Sequence, residues 1–200
     1  MQKKSPFKLN AENAALDFVN TLDDRFAPGG PRELLIGYAD LLQFCEQAGI
    51  LKYSEIARLS AVSKTSQEAS FHSTIELREL LARIFYRLIE GRGPASEDRI
   101  ALEGWAALCR KHRELRWEDD HLAWRWKGLA ANPDAPALLL AELALNLLTE
   151  DPPARLHVCA SDTCRWLFLD TSKNRTRRWC DMKICGNRAK ARRYNTAHQK

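Results

Sequence analysis

Four cysteines near the C-terminus, Cys159, Cys164, Cys180 and Cys185, fall into two C-x4-C pairs separated by fifteen residues. Thiolates are preferred zinc ligands, and two short Cys-to-Cys loops can close a tetrahedron with Zn–S bonds of roughly 2.3 Å. Four thiolates leave no open coordination position, so the spacing predicts one structural Zn2+ rather than a catalytic one. Disulfides are the competing reading. Met1 to Pro6 is basic, but Phe7-Lys8-Leu9-Asn10 interrupts any apolar run of the kind a secretory signal needs. A reducing cytoplasm, the expected location, favours metal over disulfides. A redox pair would have two intervening residues, not four.

The second pair runs straight into Gly186-Asn187-Arg188-Ala189-Lys190-Ala191-Arg192-Arg193. At helical spacing Arg188, Arg192 and Asn195 share one face, with Lys190 and Arg193 beside it. Arginine and asparagine suit phosphate oxygens and the major-groove edges of guanine and adenine. Lys173, Arg175, Arg177 and Arg178, in the connector between the pairs, are secondary phosphate contacts. Residues 155–200 carry 12 Lys/Arg against three acids (Asp162, Asp170, Asp181), a net of +9, which leaves 19 basic and 23 acidic residues, a net of −4, for the first 154. An acidic body with a strongly basic end points to a polyanionic partner, double-stranded DNA above others. Structured RNA is compatible with the same charge pattern. A docking module on a ligand-binding or enzymatic body is the other alternative.

The elements that must position these residues fall in two parts. Thr149-Glu150-Asp151-Pro152-Pro153 is a helix stop and a stiff connection, placing a mainly helical body at 1–152 and a finger at 153–200. Apolar residues at helical spacing predict a first helix after an Asn10 cap (Ala11, Ala15, Phe18, Leu22) and a second carrying Leu34 to Cys45 and stopping at Gly49. A short helix opens at Ser54, a long one covers about 66–90, and a further one runs from Ser96 to Arg110. Around Asp119-Asp120 the period becomes two, predicting a β-hairpin whose Leu115, Trp117, Leu122, Trp124 and Trp126 form one apolar face, read as core packing rather than a pocket wall. The last body helix, 136–149, is apolar nearly all round and too short to cross a bilayer, so it reads as a buried core helix.

No catalytic pattern stands out in the body, and no enzyme is expected. His72, His112 and His121 are scattered, Cys45 and Cys109 sit on apolar helical faces, and Gly91-Arg92-Gly93 is a helix stop rather than a phosphate loop. In the finger, Arg155 to Val158 and Trp166 to Leu169 read as short strands. Trp166, Phe168 and Trp179 are expected to wrap the metal as a miniature core, base stacking being the alternative. Ala191 and Tyr194 can pack back on it, and Cys185 opens the final helix. The fold class is thus mainly α with a small β-hairpin, plus a C-terminal treble-clef-like zinc finger.

Arg177-Arg178-Trp179-Cys180 followed by Cys185-Gly186-Asn187-Arg188-Ala189-Lys190-Ala191-Arg192 resembles the CGNR zinc-finger family. Leu16-Asp17-Phe18-Val19-Asn20-Thr21 and Asp40-Leu41-Leu42-Gln43-Phe44-Cys45 resemble the ABATE domain that usually precedes it. The resemblance covers essentially the whole chain and matches all four ligand positions. It implies a bacterial stress-induced transcription regulator, the zinc finger binding DNA. A homodimer and a small-molecule effector sensed by the body remain open as further partners.

Overall fold

The computed structural model describes residues 7–150 and 154–198. Helix α1, Ala14–Val19, starts at Asn13, whose side chain accepts from the Ala15 amide. The expected cap at Asn10 lies one turn too early, and Ala11 precedes the helix. Leu22 belongs instead to strand β1, Leu22–Asp23, which pairs antiparallel with β2, Arg32–Glu33. This small pair around the Pro28–Pro31 loop has no signal in the sequence, because two-residue strands are too short to show a period. Helix α2, Tyr38–Gln47, begins after Leu34 and Leu35 and ends just before Gly49, where φ of +70° suits glycine. Helix α3 is Tyr53–Ser60.

Helix α4, Lys64–Ile89, is capped by Ser63 and buries Gln67, Ser70, Thr74, Leu77, Arg78, Leu81, Ile84 and Phe85, a stripe at spacings of three and four. Helix α5 is Ser96–Lys111. Strands β3, Arg113–Glu118, and β4, His121–Trp126, form the expected hairpin, with both loop residues, Asp119 and Asp120, at positive φ as a type I′ turn requires. Its packing departs from expectation. Leu115, Trp117, Leu122 and Trp124 are 50, 69, 57 and 56 % exposed, so this face is not core. Trp126, at the base, packs against the body, with the Arg113 guanidinium 4.9 Å from its ring centre. Trp124 forms one wall of a cleft of about 340 Å3 against α5 and the last body helix, the pocket-wall alternative. The ladder satisfies the hairpin's own backbone, and α6 fills the core without it.

That helix, α6, Ala135–Thr149, is the central element as expected, burying Ala137, Leu138, Leu140, Ala141 and Ala144 against α1, α4 and α5. Between α4 and the β1–β2 pair lies a polar knot. Arg78, 2 % exposed, forks onto both carboxylate oxygens of Glu33 (2.7 and 2.6 Å) and reaches Glu79 and Thr21. Arg25 also pairs with Glu79. Burial alone would raise Glu79, but hydrogen bonds and charge from Arg25 and Arg78 outweigh it and hold the carboxyl below its ordinary value.

The C-terminal part contributes β5, Leu156–Val158, antiparallel to β6, Leu167–Leu169, then a π-helical turn, Met182–Gly186, that runs into α7, Asn187–His198. β5 packs on α4 and β6 on α1, and buried Leu156, Leu167 and Phe168 belong to the same apolar cluster as Phe18, Leu81 and Leu138. The proposed break at Pro152-Pro153 lies outside the described residues. On either side of it one core is continuous.

Candidate metal centre and nucleic-acid interface

The first cysteine pair sits at the tip of the β5–β6 hairpin. Cys159 directly follows β5, its amide donating to the Trp166 carbonyl at 2.7 Å, and Cys164 lies just before β6. The knuckle is therefore the hairpin's own turn. Cys180 ends the connector, and Cys185 is carried by the π-helical turn, so it enters the site from the root of α7 as expected. All four are buried, and their sulfurs lie within 4.8 Å of one another, with Cys164–Cys180 at 3.5 Å and Cys180–Cys185 at 3.7 Å. A tetrahedron with Zn–S bonds near 2.3 Å has S–S edges of about 3.8 Å, so the donor set fits one such ion.

Charge makes the same point. Hydrogen bonds from Cys164 and Cys180 hold the Cys159 thiol at about 2, far below its ordinary value. Sharing with Cys159 pushes Cys164 and Cys180 far above theirs, and burial followed by the Cys159 charge raises Cys185. Four sulfurs this close cannot all be thiolates unless a cation lies among them. The chemistry available is tetrahedral thiolate coordination of a metal, closed to substrate.

The supports of this centre come mostly from residues the sequence left without a role. Asn20 clamps β6 with both ends of its amide, donating to the Leu167 carbonyl and accepting from the Leu167 amide, each at 2.9 Å. Asp23 accepts from the Trp166 indole at 2.8 Å, and Tyr86 donates to the Arg165 carbonyl at 2.9 Å. Asp170 gathers the connector by accepting from the amides of Ser172 and Arg177. Asp181 caps the π-helical turn, accepting from Lys183 and Ile184 through one oxygen and from the Asn10 side chain through the other. Polar residues within the apolar run Leu16 to Thr21 were the available signal. A buried amide among leucine, phenylalanine and valine needs a partner, and here the partner is the finger.

Arg177 requires correction. Its guanidinium donates to the carbonyls of Asn10 (2.8 Å), Trp179 (3.1 Å) and Cys180 (2.6 Å) and lies 4.5 Å from the Phe168 ring centre. It braces the cysteine loop against the body through Nε and one terminal nitrogen, while the other terminal nitrogen lies 3.6 Å from Glu12. It is therefore a structural brace rather than one of the exposed phosphate contacts. Lys173, Arg175 and Arg178 remain exposed, Arg178 lying over the Trp179 ring at 5.6 Å. Ser172, Thr176, Arg177, Arg178, Trp179 and Met182 line a groove of about 380 Å3 joining the connector to the start of the π-helical turn.

On α7, Arg188, Lys190, Arg192, Arg193 and Asn195 are all exposed, and among the described residues none of the four cations pairs with a carboxylate. Arg188 also lines a cleft of about 250 Å3 beside the cysteines, opposite Asp23, Asp24 and Arg32. Tyr194 is 64 % exposed and Ala191 is exposed too, so neither joins the finger's core. In the body, His72, His112 and His121 stand apart on α4, the end of α5 and the hairpin. Cys45 and Cys109 are buried, their thiols pushed up to about 12 and about 11 by burial. Among the described residues no helix is long and apolar enough to cross a membrane.

Two family models match the chain in sequence order. Residues 12–151 match ABATE, described as "Putative stress-induced transcription regulator", and residues 155–198 match the CGNR zinc finger. No curated protein matches the chain.

Proposed function

This chain belongs to the ABATE family and carries a CGNR zinc finger behind that domain, and on that footing we propose a cytoplasmic, DNA-binding transcriptional regulator. Cys159, Cys164, Cys180 and Cys185 hold one Zn2+, whose part is to neutralise the thiolates and fix the hairpin tip to the root of α7. The observation that carries the reading is the row of exposed cations, none paired with a carboxylate among the described residues, on a helix rooted at that centre. Arg188, Lys190, Arg192 and Arg193 contact DNA, Asn195 lies on the same face, and Lys173, Arg175 and Arg178 add backbone contacts from the connector. The body carries no catalytic step in this reading and governs the finger through the contacts between them, a small-molecule effector being the natural input.

Neutralising phosphates releases counterions, so affinity should fall steeply with salt, with a log–log slope of roughly −4 to −5 for about five contacts. The test measures duplex DNA binding against salt for the parent and the Arg188→Ala/Arg192→Ala double variant, with zinc content determined alongside. We expect one zinc per chain in both proteins, weaker binding and a flatter slope in the variant. Equal binding by the two at every salt concentration would exclude α7 as the contact surface. Tighter binding to structured RNA than to duplex DNA would move the assignment to RNA.

A further inference from the structure

The body contains an apolar surface that the metal centre and the basic helix do not use. Direct cross-strand partners in the β3–β4 hairpin are Leu115 with Trp124 and Trp117 with Leu122. The two pairs are two residues apart on each strand, so all four side chains stand on one face. All four are half exposed or more. The opposite face is closed by its own ion pairs, Arg116 with Glu114 and Arg125 with Glu118. The apolar side meets the body at its base, where Trp126 packs, Arg113 pairs with Glu142 and Trp124 borders a cleft of about 340 Å3 against α5 and α6. Toward the tip it has no partner among the described residues, and isolated two-stranded hairpins are marginal in water.

We propose that this face is a homodimer interface in which two hairpins stack across a two-fold axis. Self-complementarity singles out a second copy. The four residues form a checkerboard, leucine beside tryptophan in one row and tryptophan beside leucine in the next. An axis across the strands, within the plane of the ribbon, keeps the two bodies at opposite ends and sets Leu115 over the partner's Trp117 and Leu122 over the partner's Trp124. Each indole then meets a leucine, as an isologous contact requires of a patch that must fit itself. The exposed parts of these four side chains amount to roughly 500 Å2 per copy, large aromatics contributing most. Two copies therefore bury up to about 1,000 Å2 through these four residues, and flanking residues complete the area that a specific interface needs.

The dimer needs neither metal nor nucleic acid, so its test is independent of the DNA-binding reading. Sedimentation of the 200-residue chain without DNA, at micromolar concentration, should give twice its 22.8 kDa mass. Trp117→Arg and Leu122→Glu should each sediment as monomers with unchanged helical circular dichroism, while Arg116→Ala, on the opposite face, should stay dimeric. Trp117→Ala, which adds no charge, should raise the dimer dissociation constant at least tenfold and covers the case of a misfolded charged variant. A monomeric parent overturns the proposal. So does a dimer that the Trp117 and Leu122 variants leave intact, or one that Arg116→Ala abolishes equally.

Discussion

Asp17 shows how much one buried side chain can tie to pH. It is 6 % exposed in α1 and accepts from the Ala11 amide at 3.0 Å. Burial, only partly offset by the Ala11 and Asn10 amides, raises its carboxyl from 3.8 to about 7, with Glu12 adding to the rise and Arg177 opposing it. The folded chain therefore keeps a proton between about pH 4 and 7 that the unfolded chain has lost, so this group's contribution to stability falls as pH rises through that window. Asp17→Asn keeps an acceptor for Ala11 without the buried charge. We expect the variant to gain on the order of 2–4 kcal/mol over the parent at pH 8 and little at pH 4, read from thermal melts at both values. An equal gain at both would show that the carboxylate carries no pH-linked penalty.

Among the elements, the π-helical turn is the one on which both halves of the proposed function depend. It delivers Cys185 to the metal and launches α7, and Asp181 is its cap, bonded to the Lys183 amide at 2.7 Å and the Ile184 amide at 3.2 Å. Gly186, the last residue of the turn, is buried, and an added Cβ there would lie 2.3 Å from the Met182 sulfur and 3.4 Å from Trp179. Loss of an N-terminal cap costs about 1 kcal/mol. Asp181→Ala should therefore hasten zinc release to a chelating dye several-fold and loosen α7, while Asp181→Asn, which keeps the acceptor oxygen, should behave nearly as the parent. Identical release from all three proteins would mean that the thiolates alone hold the turn.

At the scale of the molecule the question is whether body and finger are separable. Asn20, Asp23 and Tyr86 reach from the body to the finger's backbone and Trp166, Arg177 reaches back to Asn10, and the apolar cluster crosses between them. Removing residues 151–200 strips Asn20 of two hydrogen bonds, at about 1 kcal/mol each, and bares the faces of α1 and α4 that pack on the finger's strands. We expect the truncated body to melt well below the full chain, by an amount equivalent to about 3 kcal/mol or more. Equal melting temperatures would establish two energetically independent parts.

What could be read without coordinates were the features whose physics is local. Cysteine spacing gave the ligand set, because two short loops suffice to bring four thiolates together. Apolar period gave the long helices and the hairpin, and Asp119-Asp120 its turn. The clustering of lysine and arginine near the C-terminus marked the basic helix. Tertiary structure decided whatever depended on partners far apart in sequence. Arg177 looks like any other cation of its run until the carbonyls of Asn10, Trp179 and Cys180 are seen around it. Asn20 is one polar residue in an apolar helix until β6, nearly 150 residues away, takes both ends of its amide. The hairpin face has the alternation of a core strand, and only the tertiary structure shows it exposed while α6 lies in the core. Period states which residues share a face; only the packed chain states what that face meets.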